Sequence, residues 1–380
     1  MNIFFITSWF PSRVHPTNGN FVGRHARLVA REHKVTVVAV EVDEGLAFAA
    51  TEVTQREEDG YQAIQVYVGY GARTPALVKV ALRLRAYASA LSIARHEFGV
   101  PDLLHGHVLL DGGMVAALYG KRWSRPFVLT EHSTAYHKAG ALTGFRGWLG
   151  RYACRKAKVI MPVSDHLGRS MQKKNGLEGN YRAVSNVVNE ELYLLQPPSE
   201  TPPFRLLHVS NFDEGPKNIT GLLRAFTLLP QNPNQPITLL LAGDGDLKEL
   251  QQIIDATGYG GIACSGPHTE VEIAELMQGC HAFVLFSNYE NQPVVLLEAQ
   301  MSGRPCIATP VGGIPDIILP EKTGLLIPVG DEAALAAAIV EMQQNYSTYD
   351  PDAIRQRAVG QYSEAAVIRV LNEVYSMAPY

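Results

Sequence analysis

The stretch YENQPVVLLEA, Tyr289 to Ala299, holds two glutamates, Glu290 and Glu298, on either side of a run that contains no other charge. The preceding AFVLFS reads as a strand, Pro293 suits the first turn of a helix, and Gly303 followed by Pro305 is a stop signal. Glu290 is therefore expected in a loop, before a helix whose body carries Glu298. Val294 and Glu298 lie four apart and share one face, which sets the second carboxylate one turn past the helix start. Amides near Pro293 to Val295, at the positive end of the helix dipole, suit a phosphate. A carboxylate beside a phosphate is repelled, so two acids kept there make sense as acceptors for neutral hydroxyls, such as those of a ribose and a sugar. As an isolated pair at this spacing they read first as solvated helix-end charges.

Other residue types with chemical potential are weaker alone. Gly243 and Gly245 follow the strand TLLLAG, where a tight turn or a close backbone approach needs glycine. Asp244 and Asp246 have a metal-like D-x-D spacing but suit a cap on the next helix better. His105 and His107 face one side of a strand; no further ligand cluster is evident beside them, and they read as structural.

These residues need a scaffold of strands ending at a common edge. Short β-branched runs alternate with helical segments along the whole chain, the signature of parallel α/β layers. NIFFITS, VTVVAV, DLLHGHV, FVLTEH and VIMPVS are expected strands of the first half; RLLHVSN, TLLLAG, GIACSG, AFVLFS, CIATP and GLLIP are those of the second. A chain of 380 residues with 46% apolar content exceeds the usual size of a single core. The proline-rich LYLLQPPSETPPF reads as a linker, giving domains at 1–195 and 196–362 and a closing helix at 363–380. A near-balanced net charge of −4 argues against a nucleic-acid partner. The four cysteines form no C-x-x-C pair and read as reduced core residues. There is no apolar run of membrane-spanning length, and MNIFFITSWFPSR lacks the features of a signal peptide, so a cytoplasmic location is expected.

The block SNYENQPVVLLEAQMSGRPCIATPVGGIPDII resembles the signature of the retaining glycosyltransferases of family four, which have the GT-B fold and an E-x-x-x-x-x-x-x-E motif. PTNGNFVGRHA, DLLHGH, TEHST, VSDHL, HVSNFDEGPKN, LLAGDGD and the SGPHT loop, which contains Gly266 and precedes a capping box at Thr269 and Glu272, extend the resemblance over nearly the whole chain. It implies two Rossmann-like, doubly wound domains facing a central cleft, the first for the acceptor and the second for a nucleotide-sugar donor. It implies that Glu298 binds the donor ribose and that Glu290 contacts the transferred sugar. Asn291, Gln292, Pro293, Val294 and Val295 would hold sugar hydroxyls and diphosphate through their backbone, and Lys217 would neutralise the leaving group. Gly19 and Asn20, after the first strand, would approach the diphosphate from the opposite side, and His132 would lie near the acceptor and the transferred sugar.

The expected enzyme is a retaining hexosyltransferase of polysaccharide or glycolipid assembly. It would use a UDP or GDP sugar and a sugar or lipid-linked acceptor, with no metal or other cofactor. A nucleotide-sugar epimerase and an inactive sugar-nucleotide-binding subunit are the alternatives. The family usually has an arginine six or so residues before the lysine; here Asn211 stands there, and an amide cannot replace a bidentate cation. Either another basic residue compensates, Arg24 being the expected one, or the donor is held less tightly. Within FRGWLGRYACRKAK, Phe145 to Lys158, basic and aromatic residues suit peripheral contact with the inner face of a membrane, although an ordinary helix packed on the sheet is the favoured reading.

Overall fold

The computed structural model describes residues 1–198, 201–230, 232 and 234–378. The chain divides into two compact units, Met1–Val187 with Val367 onward, and Val188–Ala366.

The first unit carries seven strands: β1 (Asn2–Thr7), β2 (Lys34–Val42), β3 (Thr51–Glu58), β4 (Tyr61–Val68), β5 (Leu103–His107), β6 (Phe127–Glu131) and β7 (Ile160–Pro162). Their order is β3-β4-β2-β1-β5-β6-β7, and only β3–β4 is antiparallel. Helices α1 (Asn20–Ala30), α2 (Ala76–Phe98), α3 (Met114–Trp123), α4 (Gly144–Lys156) and α5 (Asp165–Asn175) cover the faces, and a π-helical turn, Val108–Gly113, leads into α3. The inner strands are buried on both sides, which is why they read as unbroken apolar runs.

The second unit is wholly parallel, in the order β10-β9-β8-β11-β12-β13. These strands are β8 (Phe204–Ser210), β9 (Ile237–Gly243), β10 (Ile262–Ser265), β11 (Ala282–Leu285), β12 (Cys306–Ala308) and β13 (Gly324–Leu326). The helices are α6 (Glu214–Lys217), α7 (Ile219–Thr227), α8 (Leu247–Thr257), α9 (Glu270–Gly279), α10 (Val294–Met301), α11 (Ile314–Ile317), α12 (Glu332–Gln344), α13 (Pro351–Tyr362) and α14 (Glu364–Ser376). In each sheet the order reverses once, between β1 and β5 and between β8 and β11. A crevice opens beyond the carboxyl ends of strands at such a point.

Every expected strand forms, but the sequence reading omits the β3–β4 hairpin. Its signal is the Asp59-Gly60 turn, where both residues have positive φ, as a two-residue hairpin loop requires. The division falls after Val187 rather than near 195, because the segment before the prolines belongs to the second unit: Val188 and Tyr193 are fully buried in its core. Ser199 and Glu200 of the expected linker lie outside the described residues. The closing helix is not a separate piece. From Val367 it joins the first unit, where the Tyr375 hydroxyl meets His105 Nδ1 at 2.9 Å and Asn372 Oδ1 meets His33 Nε2 at 2.9 Å. Pro379 and Tyr380, which the reading gave to that segment, are outside the described residues. The cysteines are free, and burial pushes the thiols of Cys154, Cys280 and Cys306 up to about 12.

Candidate active site

In the second unit two loops leave neighbouring strands at the order reversal and tie to each other. After β8, Asp213 caps α6, its Oδ1 accepting from Gly215 N at 3.3 Å, and the single turn ends at Lys217. After β11 the chain runs through Ser287 to Glu290. Asn288 N donates to Pro216 O at 2.7 Å and Asn288 Nδ2 to Gly215 O at 2.9 Å, fixing one loop on the other. Lys217 Nζ then reaches Glu290 Oε1 at 2.5 Å, and Ser287 Oγ donates to the same oxygen at 3.0 Å. With side-chain exposures of 19% and 11%, this pair is screened far less than a surface ion pair.

Glu290 and Glu298 are both buried, at 8% and 3% exposure, so neither is a solvated helix-end charge. Pro293 is the N-cap of α10 rather than part of its first turn, and Glu298 is the fifth residue of the helix. Asn291 and Pro293 are buried, while Gln292, Val294 and Val295 are partly exposed around the helix start. Residues the sequence reading did not single out hold this loop. Gly313 N donates to Asn291 O at 2.6 Å, and Thr309 Oγ1 donates to Ser287 O at 2.5 Å. Gly312 has φ +58, and a Cβ on it would lie 1.9 Å from Glu290 O, so only glycine permits this approach. The paired glycines of PVGG are the available signal.

The neighbouring motifs behave differently from one another. A Cβ on Gly243 would meet Ser210 O at 1.7 Å, so this glycine is required. Asp246 caps α8, its Oδ1 accepting from Lys248 N and Glu249 N at 2.9 and 3.1 Å. Thr269 and Glu272 form the expected capping box. Gly266 follows β10, two strands away from β8, and the nearest atom to a Cβ there would be Leu247 Cδ1 at 3.5 Å, an ordinary contact. Asn211 is exposed and its Oδ1 accepts weakly from Asp213 N at 3.4 Å; Arg24 is a partly buried residue of α1 in the first unit.

In the first unit, Gly19 is the left-handed N-cap of α1, with φ +74, and Asn20 is the first helical residue. A Cβ on Gly19 would lie 2.2 Å from the Trp9 carbonyl. His132 sits just past β6 and stacks on Phe21, ring centroids 4.1 Å apart. Before it, Glu131 is fully buried and accepts from three backbone amides, Leu109, His132 and Ser133, each at 2.8 Å. Burial pushes this carboxyl up to about 7 against the pull of those amides. Glu131 thereby ties the end of β6 to the π-helical turn, a role the sequence reading missed; the only hint is an acid closing an otherwise apolar strand.

His105 and His107 do not act as a pair. His105 Nε2 meets Thr130 Oγ1 at 2.7 Å and Nδ1 meets the Tyr375 hydroxyl, as a structural histidine should. His107 instead groups with His25 of α1 and with His132, partners that the spacing of the sequence does not reveal. Burial holds His107 and His132 well below the usual imidazole range and lowers His25 to about 4, so all three are neutral.

The segment Phe145 to Lys158 lies largely in α4, a packed helix that leaves two of its aromatic rings exposed. Gly147, Gly150, Ala153 and Cys154 pack inward on α4, while Phe145 and Trp148 stack on each other at 5.8 Å and stay exposed beside Arg146, Arg155 and Lys156. Among the described residues no helix is long and apolar enough to cross a membrane.

The family described as "Glycosyltransferase Family 4" matches residues 24–192, and "Glycosyl transferases group 1" matches residues 203–345. A putative teichuronic acid biosynthesis glycosyltransferase of Bacillus subtilis is 26% identical, over 99% of this chain and 98% of its own length. Sucrose-phosphate synthase of Thermosynechococcus elongatus superposes with a TM-score of 0.79 at 20% identity, covering 99% of this chain and 98% of that one. The Anabaena protein HepE, solved with UDP, superposes at 0.73 with 17% identity, covering 99% of this chain and 100% of that one. The fold is that of the GT-B glycosyltransferases.

Proposed function

We propose, for a chain that belongs to the group 1 glycosyltransferases of family four, a retaining transfer from a uridine or guanosine diphosphate hexose to an acceptor hydroxyl. It is a glycosyltransferase of polysaccharide or glycoconjugate assembly. The observation that carries the reading is the partly buried contact of Lys217 with Glu290 at the reversal of the second sheet, beside the start of α10. A fixed cation and helix-start amides are what a departing diphosphate needs. HepE has been solved in complex with UDP and with UDP-glucose, which supports a UDP sugar as the first donor to test.

In this reading the bond from the anomeric carbon to the diphosphate oxygen breaks while the acceptor oxygen bonds to the same face of that carbon. The acceptor proton passes to the departing phosphate oxygen, so no protein nucleophile is needed. Lys217 meets the negative charge as it grows. Ser287 and Lys217 both bond Glu290 Oε1, which orients the carboxylate; Oε2 is the oxygen assigned to a hydroxyl of the transferred sugar. Glu298, one turn into α10, takes the ribose hydroxyls, and the backbone of Asn291 to Val295 lines the diphosphate and sugar, while Gly266, after β10, serves the donor from farther along the same sheet. Gly19 and Asn20 serve the diphosphate from the first unit, and His132 serves the sugar.

Because Lys217 and the helix start supply the charge that a divalent ion would otherwise bring, transfer should run at full rate in excess EDTA. The assay pairs UDP- and GDP-hexoses with sugar or lipid-linked acceptors and reads the product anomer by NMR. Inverted product, release of an epimerised sugar without acceptor, or activity restored to a chelated enzyme by magnesium would each sink the reading.

A peripheral membrane contact is the second part of the proposal, supported by the exposed Phe145 and Trp148 among basic residues on α4. Acidic liposomes should then co-sediment the protein in a salt-sensitive way; equal recovery with neutral liposomes counts against it.

A further inference from the structure

Three histidines from three elements converge inside the first unit: His25 from α1, His107 from the end of β5 and His132 from just beyond β6. One ring nitrogen of each lies within 4.8 Å of those of the other two. Zinc–nitrogen bonds of about 2.0–2.1 Å place tetrahedral ligands roughly 3.3 Å apart, so each nitrogen needs to move inward by less than about 1 Å.

The hydrogen bonding around the group is unfinished in a telling way. His25 Nε2 meets the Ser185 carbonyl at 3.2 Å; a carbonyl only accepts, so the neutral ring carries its proton there. The Nδ1 lone pair is buried and has no hydrogen-bond partner among the described residues. A histidine whose other nitrogen is fixed on a backbone carbonyl is the usual arrangement of a metal ligand. His107 is wholly buried, yet neither of its ring nitrogens has a partner among the described residues. His105, two residues earlier on the same strand, has both satisfied. The carboxylate of Glu131 is committed to three amides, so the available ligand set is nitrogen alone.

We propose that His25, His107 and His132 bind one divalent transition-metal ion, zinc by preference. Imidazole nitrogens select zinc, cobalt, nickel or copper over magnesium, calcium and manganese, which favour oxygen. An ion there occupies a nitrogen of His132, so it slows transfer. That consequence rests on the sugar-facing role given to His132 above; the binding does not.

The test titrates the full chain with zinc chloride and, separately, with cobalt chloride followed by visible absorption. One equivalent of zinc should bind, and cobalt should show the intense bands of a four- or five-coordinate ion. His107→Gln should weaken binding at least about tenfold, since even the groups that orient metal ligands are worth 10–100-fold. His105→Gln, equally buried on the same strand, should bind as the parent does. Cobalt that keeps the pale spectrum of its octahedral aqua ion in the unaltered protein overturns the site without reliance on any variant, as does zinc affinity unchanged in His107→Gln. Saturating zinc should cut transfer at least tenfold, and EDTA should restore it. Zinc bound at one equivalent with transfer unimpaired overturns the inhibitory consequence, whereas an enzyme inactive with every donor in EDTA overturns the reaction instead.

Discussion

The two units use equivalent places, the strand ends at a reversal of sheet order, for opposite chemistry. The first lines its place with neutral rings: His25, His107 and His132 are buried too deeply to hold protons, and Glu131 beside them is absorbed by backbone amides. The second keeps formal charges, Lys217 on Glu290, locked by backbone bonds between two loops. Burying a charge is costly unless a partner or ligand meets it. A doubly wound unit retains such a pair where its ligand is itself charged, and neutral rings where hydroxyls or a metal suffice. In the proposed reaction this assigns the donor diphosphate to the second unit.

The sharpest way to break this comparison is to remove the charge that is meant to act late. The transferred sugar gains positive character as its bond breaks, so Glu290 should matter more in the transition state than in the ground state. Glu290→Gln is expected to lower kcat by roughly 10²-fold or more, on the order of 3 kcal/mol, with little change in nucleoside diphosphate affinity. Near-normal turnover in a steady-state assay would mean that the carboxylate merely anchors Lys217.

Glu298 tests the same unit at a smaller scale. In the proposed function it grips the ribose equally in ground and transition states, so Glu298→Ala should raise the donor KM and weaken nucleoside diphosphate binding by about 1.5–3 kcal/mol, as for hydrogen bonds to a charged group. Calorimetric titration of UDP and GDP on both variants separates the roles. A Glu298→Ala enzyme that binds diphosphate normally but turns over slowly would exchange the assignments of the two glutamates.

How far these features were legible follows from what makes each one. Central parallel strands are buried on both faces and announce themselves as apolar runs, whereas β3, TEVTQREE, is an edge strand whose polar and charged residues carry no such signal. Glu290 and Glu298 stood out because eight residues of sequence place them around one helix start. Lys217 came from resemblance, since nothing local in EGPK marks its end-of-turn position. Gly312 offers only the paired glycines of PVGG as a signal, and Ser287 and the grouping of His25 with His107 and His132 are illegible, because they depend on which strand lies beside which. Sequence spacing reports neighbours within an element, while sheet order decides neighbours across it.

The smallest expected effect concerns His208, the second unit's own buried imidazole. It lies on β8, with Nδ1 donating to Val284 O at 2.9 Å and Nε2 on Ser210 Oγ at 2.8 Å. Burial is the main cause that lowers its pKa to about 4 from 6.5, and the charge of Lys217 adds to the lowering. A folded-state value below the unfolded one means that, between about pH 6.5 and 4, the unfolded chain binds a proton that the folded chain refuses. The contribution of His208 is thus fully present above about pH 6.5 and is lost as pH falls toward 4. Between about pH 7 and 5.5 the loss from this one group is about 1 kcal/mol, at 1.36 kcal/mol per pKa unit. His208→Gln, which can still donate to the Val284 carbonyl, should lower stability at both pH values and flatten the dependence by that amount. Amide hydrogen exchange along β8 and β11 reads the opening free energy of the second unit separately from the first. If the two proteins lose stability in parallel on acidification, His208 is not the group that senses pH, and its burial on β8 does not hold the proton off.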